Sequence, residues 1–287
     1  MIPMMILSGA MFPFDKMNRT VGSVKKVPLI AEFMPTKWSY EALMVNQFKN
    51  NEFEKNFYEL EKQISNADFK TVYYLLELEK KLTYIEDNWY KVEEEPEIKN
   101  QIIENLQLLK KELTKEESRT GLPFESAHQL EINSFNEIIL NNTANYIKRL
   151  NIYYNNIFNK ANAEKEAIIS YLLRTNEQLY RAKRDAYHNE SVEDQVKKTF
   201  EKNKIVQYKD ELIQQKDPIF RDPDIEGYLN FRSHFFAPRK YFAGKYHETF
   251  WFNLIFVWIM TVFLYITLYF ELLKKLLELP ERVKFRK

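Results

Sequence analysis

The chain contains no cysteine, which excludes disulfide frameworks, thiol catalysis, iron–sulfur clusters and cysteine-type zinc sites together. Glycine is nearly as scarce, with 5 in 287 residues, so neither a fold rich in tight turns nor a glycine-rich phosphate cradle fits the composition. A charge excess of either sign is missing too. The 42 basic and 41 acidic residues leave +1, and no electrostatic footprint for nucleic acid exists at whole-chain level. The 4 histidines, His128, His188, His234 and His247, are isolated from one another, which is not the spacing of a metal site. No G-x-x-x-x-G-K-[ST], G-x-S-x-G or H-E-x-x-H occurs, so a nucleotide-binding loop, a nucleophile elbow and a metalloprotease helix are absent from this chain. Glu93, Glu94 and Glu95 precede an expected helix start, where negative charge suits the helix dipole better than it suits acid–base chemistry.

What is present is helical patterning and one long apolar run. The mean hydropathy of −0.50 is that of a soluble chain, yet it conceals Thr249 to Phe270, an uncharged stretch bounded by Glu248 and Glu271. As a helix this run covers about 33 Å, against a hydrocarbon core of about 30 Å. A buried helix of a soluble protein is the other reading of such a run, but a core helix rarely stays free of charge over so many turns, so a transmembrane helix is expected. Trp251 and Tyr269 stand near its ends, at the level amphipathic rings favour. Lys274, Lys275, Arg282, Lys284, Arg286 and Lys287 follow it, against Arg239, Lys240 and Lys245 before it. The richer basic flank predicts a cytoplasmic C-terminus and an external region before the helix. Met1 to Phe14 is also apolar, but at about 21 Å it is too short to cross. With no Lys or Arg before Lys16 it lacks the basic region of a signal peptide. It reads as the end of a span, with an ordinary buried helix or strand as the alternative.

Between these ends the punctuation is sparse. Thr36 is a candidate cap for a helix carrying Trp38, Leu43 and Phe48, and Ser65 with Asp68 imitates a capping box. Pro96 suits the first turn of a helix whose apolar stripe is Ile98, Ile102, Leu106, Leu109 and Leu113, with Gly121 and Pro123 as its stop. From Phe124 to Asp217 neither Gly nor Pro occurs. Apolar residues from Phe135 to Leu172 recur there at spacings of three and four, which predicts long antiparallel helices. Breaks are expected near Asn141 and at Asn189, with Ser191 and Asp194 as a further cap. An aromatic and basic segment, Tyr228 to Tyr246, leads into the apolar run.

One stretch is more specific than its composition. Trp38-Ser39-Tyr40-Glu41-Ala42-Leu43-Met44-Val45-Asn46-Gln47-Phe48 resembles, without a gap, the aromatic-x-aromatic-Glu-Ala-Leu-x-x-Asn-Glu-Phe segment that follows the fifth transmembrane helix of G-subfamily (white-type) ABC transporters. Ser8-Gly9 and Phe12 to Lys16 look like the outer end of that fifth helix. Phe235-Phe236-Ala237-Pro238 and the apolar run with its basic tail look like the sixth and last helix. The similarity is greatest to the fused ATPase-permease proteins of Bacteroidetes-type bacteria, and it covers about the first fifty and the last sixty residues.

The resemblance implies an all-α membrane protein, the C-terminal part of a type-2 ABC exporter permease. It has one complete C-terminal transmembrane helix, a partial N-terminal membrane helix and a large external helical domain. The implied division is 1–14 for the end of the fifth-helix-like span, 15–50 for a re-entrant helical turn, 51–248 for the external (periplasmic) domain, 249–270 for the transmembrane helix and 271–287 for a cytoplasmic basic tail. Ala10 and Met11 match the family's apolar plug at the outer gate, where leucines are usual. Trp38, Tyr40, Glu41, Asn46 and Phe48 form the re-entrant motif, with Glu41 capping or pairing rather than reacting. No cofactor is expected in this chain, since ATP and magnesium belong to an ATP-binding domain it lacks. The implied partners are membrane lipid, that ATPase domain and a second permease copy, in a bacterial inner membrane, with no nucleic acid. The chain itself would be no enzyme. The alternative is a single-pass membrane scaffold whose external helices bind a partner.

Overall fold

A computed structural model of the chain describes residues 2–14, 17 and 25–271. The chain packs as two compact units, divided between residues 47 and 48 and again between 221 and 222. The basic tail from Lys274 onward, on which the expected orientation rests, lies outside the described residues.

The central unit, 48–221, is built on helices whose apolar residues recur at spacings of three and four. Helix α4 (Tyr58–Phe69) runs through a π-helical turn, Lys70–Tyr74, into α5 (Leu75–Asn88). Helix α6 (Pro96–Thr120) begins with proline in its first turn and ends at Gly121, whose φ of 70° lets its N–H reach back to the Glu117 carbonyl at 2.9 Å. Only a residue tolerant of the left-handed region closes a helix this way. Leu75, Leu78, Leu82 and Ile85 of α5, Ile102, Leu106, Leu109 and Leu113 of α6, and Ile139, Ile147, Leu150 and Tyr154 of α7 (Glu137–Tyr187) form one core.

Helix α7 (Glu137–Tyr187) is capped by Asn136, whose Oδ1 accepts the Ile139 N–H at 3.1 Å. The expected break near Asn141 does not occur. Thr143, Tyr146 and Ile147 continue the buried stripe through it, and the Thr143 hydroxyl donates to the Ile139 carbonyl at 2.7 Å. The helix is interrupted instead at Asn176 (φ −161°, ψ 87°), whose Oδ1 accepts the Leu179 N–H and so caps the segment beyond. Ser65 does not start a helix either. It lies inside α4, and its hydroxyl donates to Asp217 at 2.5 Å. Helix α8 (Glu190–Lys197) is capped by Asn189 rather than Ser191.

The terminal unit contains α1 (Ile2–Ile6), α2 (Leu29–Glu32), α3 (Pro35–Lys49, as far as residue 47) and α9 (Thr249–Tyr269). The expectation of an all-α protein needs correction, although most of the chain is helical. A hairpin of β1 (Ile205–Tyr208) and β2 (Glu211–Gln214) pairs Ile205 with Gln214 and Tyr208 with Glu211 in the central unit. A second, of β3 (Arg239–Phe242) and β4 (Lys245–Glu248), pairs Arg239 with Glu248 in the terminal unit. Its two-residue turn, Ala243-Gly244, has φ of 50° and 82°, the doubly positive geometry that matches strand twist. By packing, residues 222–248 go with the terminal unit, whereas the sequence grouping joined them to the external region.

Candidate functional site: a buried ionic cluster in the terminal unit

Pro35 opens α3 with a residue that has no N–H to leave unpaired. From there Trp38, Glu41, Ala42, Val45 and Phe48 recur on the buried side of the helix. The Trp38 indole N–H donates to the Glu32 carbonyl at 2.8 Å, and its ring lies against Phe231, Phe252 and Phe256, the last at 4.2 Å between centroids. The Lys37 ammonium sits 3.6 Å from the centre of that ring, within reach of its negative face.

Around Trp38 the charges are turned inward. Lys37 Nζ donates to Glu32 Oε2 at 2.9 Å and lies 3.2 Å from Glu41 Oε2. Lys240, from β3, donates to Glu41 Oε1 at 2.6 Å and to the Ser233 hydroxyl at 2.7 Å. Asn253, in the second turn of α9, donates to Glu41 Oε2 at 3.0 Å and to the Trp38 carbonyl at 3.1 Å. Glu41 is 0% exposed, and Lys37 and Lys240 are each 1% exposed. Burial opposes the charge on Glu41, but Lys240 and Lys37 outweigh it and hold the carboxyl below its ordinary range. Burial likewise draws the Lys240 ammonium down, against the pull of Glu41. Two carboxylates and two ammonium groups thus pair where any one left alone would carry a large desolvation cost.

Apolar side chains take most of the outward positions of α2 and α9 (Thr249–Tyr269), whereas α3 turns Thr36, Ser39 and Gln47 outward with Leu43. Between residues 27 and 47 the charged residues are Glu32, Lys37 and Glu41, all buried, while Leu29, Ile30, Phe33 and Leu43 are 50–69% exposed. Helix α9 repeats the pattern. Its buried residues are the polar Thr249 and Asn253, and Trp251, Ile255, Trp258, Phe263 and Leu268 face outward. In water each large apolar side chain left exposed forgoes roughly 1.5–3 kcal/mol of burial. Helix α9 has a mean hydropathy of 2.0 over its most apolar window and is long and apolar enough to cross a membrane.

The residues expected from the sequence divide among three places. Trp38 and Glu41 are at the centre of the cluster. Tyr40 flanks it, stacked on Phe235 and edge-on to Phe236, and burial raises its hydroxyl pKa. Asn46 is half-buried farther along the same helix. Phe48 packs in the central unit, edge-on to Phe220 at 5.8 Å with the Lys197 ammonium over its ring. Ala10 and Met11 are exposed, Met11 by 58%, in the turn after α1 where the Ser8 hydroxyl donates to the Met5 carbonyl and accepts the Ala10 N–H. From the sequence no site role falls to Lys37, Glu32 or Asn253, and Lys240 stands only as a basic residue flanking the apolar run. Two signals were there: the i,i+4 spacing of Lys37 and Glu41, and an asparagine inside an otherwise apolar run.

The central unit holds a second buried cluster. Glu116, 0% exposed, accepts from Lys70 and Arg119, each at 2.7 Å, and from the Tyr154 hydroxyl. Tyr74 donates to Glu112 at 2.9 Å and carries the Lys70 ammonium 3.4 Å above its ring. The π-turn at Lys70–Tyr74 supplies both residues. Burial lowers Lys70 from its ordinary 10.5 to about 8, although Glu116 opposes the fall. Among the described residues no group of His, Asp and Glu side chains is arranged to hold a metal ion.

No family model, curated protein or solved structure matches the chain.

Proposed function

We propose that the chain is the membrane permease part of an ABC-type exporter, forming the outer gate and external cap of a substrate pathway. An ATPase domain absent from this chain would supply the power, and with it the ATP and magnesium. The observation that carries the membrane part of this reading is that the charged residues of α2 and α3 are buried in ion pairs while Leu29, Ile30, Phe33 and Leu43, with most of the large apolar side chains of α9, face outward. A segment of that polarity, folded beside a helix long enough to cross, suits a re-entrant turn in the outer leaflet. The exporter part rests on the Trp38 to Phe48 motif, whose Trp38 and Glu41 hold the cluster together. The central unit is then external, the tail cytoplasmic, and the permease works with a second copy.

The test is export. Trp38→Asp would place an uncompensated charge in the cluster, costing on the order of several kcal/mol, and is expected to abolish efflux by the assembled transporter at matched protein levels. Asn159→Asp, at an exposed position of α7, is expected to leave it intact. Equal efflux from both would remove the gate role assigned here. A scaffold acting through its external helices would lose its function with changes in the central unit and keep it with Trp38→Asp.

A further inference from the structure

The corner between α7 and α8 is tied down by one imidazole. His188 ends α7, with its backbone N–H on the Arg184 carbonyl at 2.8 Å. Its Nδ1 lies 2.9 Å from Glu54 Oε1, on the turn Glu54–Asn56 before α4, and its Nε2 lies 3.4 Å from Glu193 Oε2 on α8. Both neighbours are carboxylates. A neutral imidazole has one N–H and one lone pair, so it can satisfy only one of them. Two donors require the imidazolium, or else a proton on a carboxyl.

The remaining charges around this corner alternate. Glu193 also takes the Lys197 ammonium at 2.5 Å, Lys197 lies 3.7 Å from Glu61 of α4, and Glu61 takes Lys165 of α7 at 2.7 Å. Burial raises the Glu54 carboxyl, His188 counters the rise, and the nearby charges of Glu61 and Glu193 add to it. The imidazole is about one-third exposed, so protons reach it from solvent without any opening of the core.

We propose that Glu54, His188 and Glu193 form a proton-operated clasp that fastens the α7–α8 corner to the chain before α4 in acid and slackens as the pH rises. With the proton bound, His188 hydrogen-bonds Glu54 through Nδ1 and sets a positive charge 3.4 Å from the Glu193 carboxylate, so one ring joins three segments. Once the proton leaves, the Nε2 lone pair faces the Glu193 carboxylate and that attraction is lost, leaving α8 with its buried Val192 and Val196 and the Lys197–Glu61 pair. The geometry is contained in the central unit, so the clasp stands or falls separately from the permease reading.

The experiment is amide hydrogen exchange of α8 in the detergent-solubilised full chain, corrected for intrinsic pH dependence, between about pH 5 and pH 8, where an imidazole changes charge. The opening equilibrium of α8 is expected to rise about tenfold over that range in wild type and to be flat in His188→Gln. Glu193→Gln, which supplies a neutral partner and keeps its side-chain length, is expected to reduce the dependence if His188→Gln does not fold. Equal pH dependence in wild type and Glu193→Gln, or α8 opening that is flat in wild type, would overturn the clasp.

Discussion

Glu41 and Lys240, separated by 199 positions in sequence, meet at 2.6 Å with neither side chain exposed beyond 1%. The pair joins α3 to β3, and through Asn253 it reaches α9. Such a pair contributes less by its attraction than its breaking would cost. Glu41→Leu leaves Lys240 buried without its partner and is expected to destabilise the detergent-solubilised chain by about 3–5 kcal/mol. Glu41→Leu with Lys240→Leu is expected to cost clearly less than the sum of the single changes. Denaturant unfolding of the four forms of this cycle checks it, and additive losses would refute the coupling.

Lys70 makes the pH dependence of stability unusual. Its folded value of about 8 lies below its ordinary 10.5, so between those values the unfolded chain binds more protons and stability rises with pH. Tyr74 and Tyr154 act in the opposite sense. Burial and neighbouring carboxylates raise both, so above pH ~10 the unfolded chain loses phenolic protons that the folded chain keeps, and stability falls. The expected profile climbs by about 2 kcal/mol from pH ~7 to ~10 and then declines. Lys70→Met should flatten the climb and leave the decline, as measured by unfolding at each pH.

Gly9 has φ of 80°, and a Cβ at that position would come within 2.7 Å of the rings of Phe14 and Phe235. Those rings already meet edge to face at 4.8 Å between centroids. Gly9→Ala is therefore expected to cost about 1–3 kcal/mol, through both backbone strain and overpacking. Gly121→Ala is strained only by its φ of 70°, with no atom within 4 Å of the added group, and should cost less. A comparison of the two melting temperatures tests the difference.

The orientation is open to a direct test. A reporter fused after Lys287 is expected in the cytoplasm, and a tag at Asn159 outside. Protease added to intact spheroplasts should then digest the central unit and spare the C-terminal reporter. Protection of both would refute the assigned orientation.

Some features follow from the sequence alone because their causes are local. Pro96 and Gly121 bound α6 through backbone restrictions that need no neighbour. The run from Thr249 is long and apolar enough to cross a membrane by its composition alone, and the spacing of Ile102, Leu106, Leu109 and Leu113 marks a buried face before any partner is known. Other features depend on partners far along the chain. Ser65 resembles a cap in sequence, and only Asp217, 152 positions away, gives its hydroxyl another use. The stretch near Asn141 looks like a break, and the packing of Thr143, Tyr146 and Ile147 carries the helix through it. Trp38 and Glu41 are legible as a motif, but Lys240, Asn253 and Ser233, which decide whether Glu41 can stay charged when buried, come from separate segments. Charge in a sequence says that a residue can ionise. Tertiary structure decides whether that charge meets water or an opposite charge, because only the assembled chain sets its distance from both.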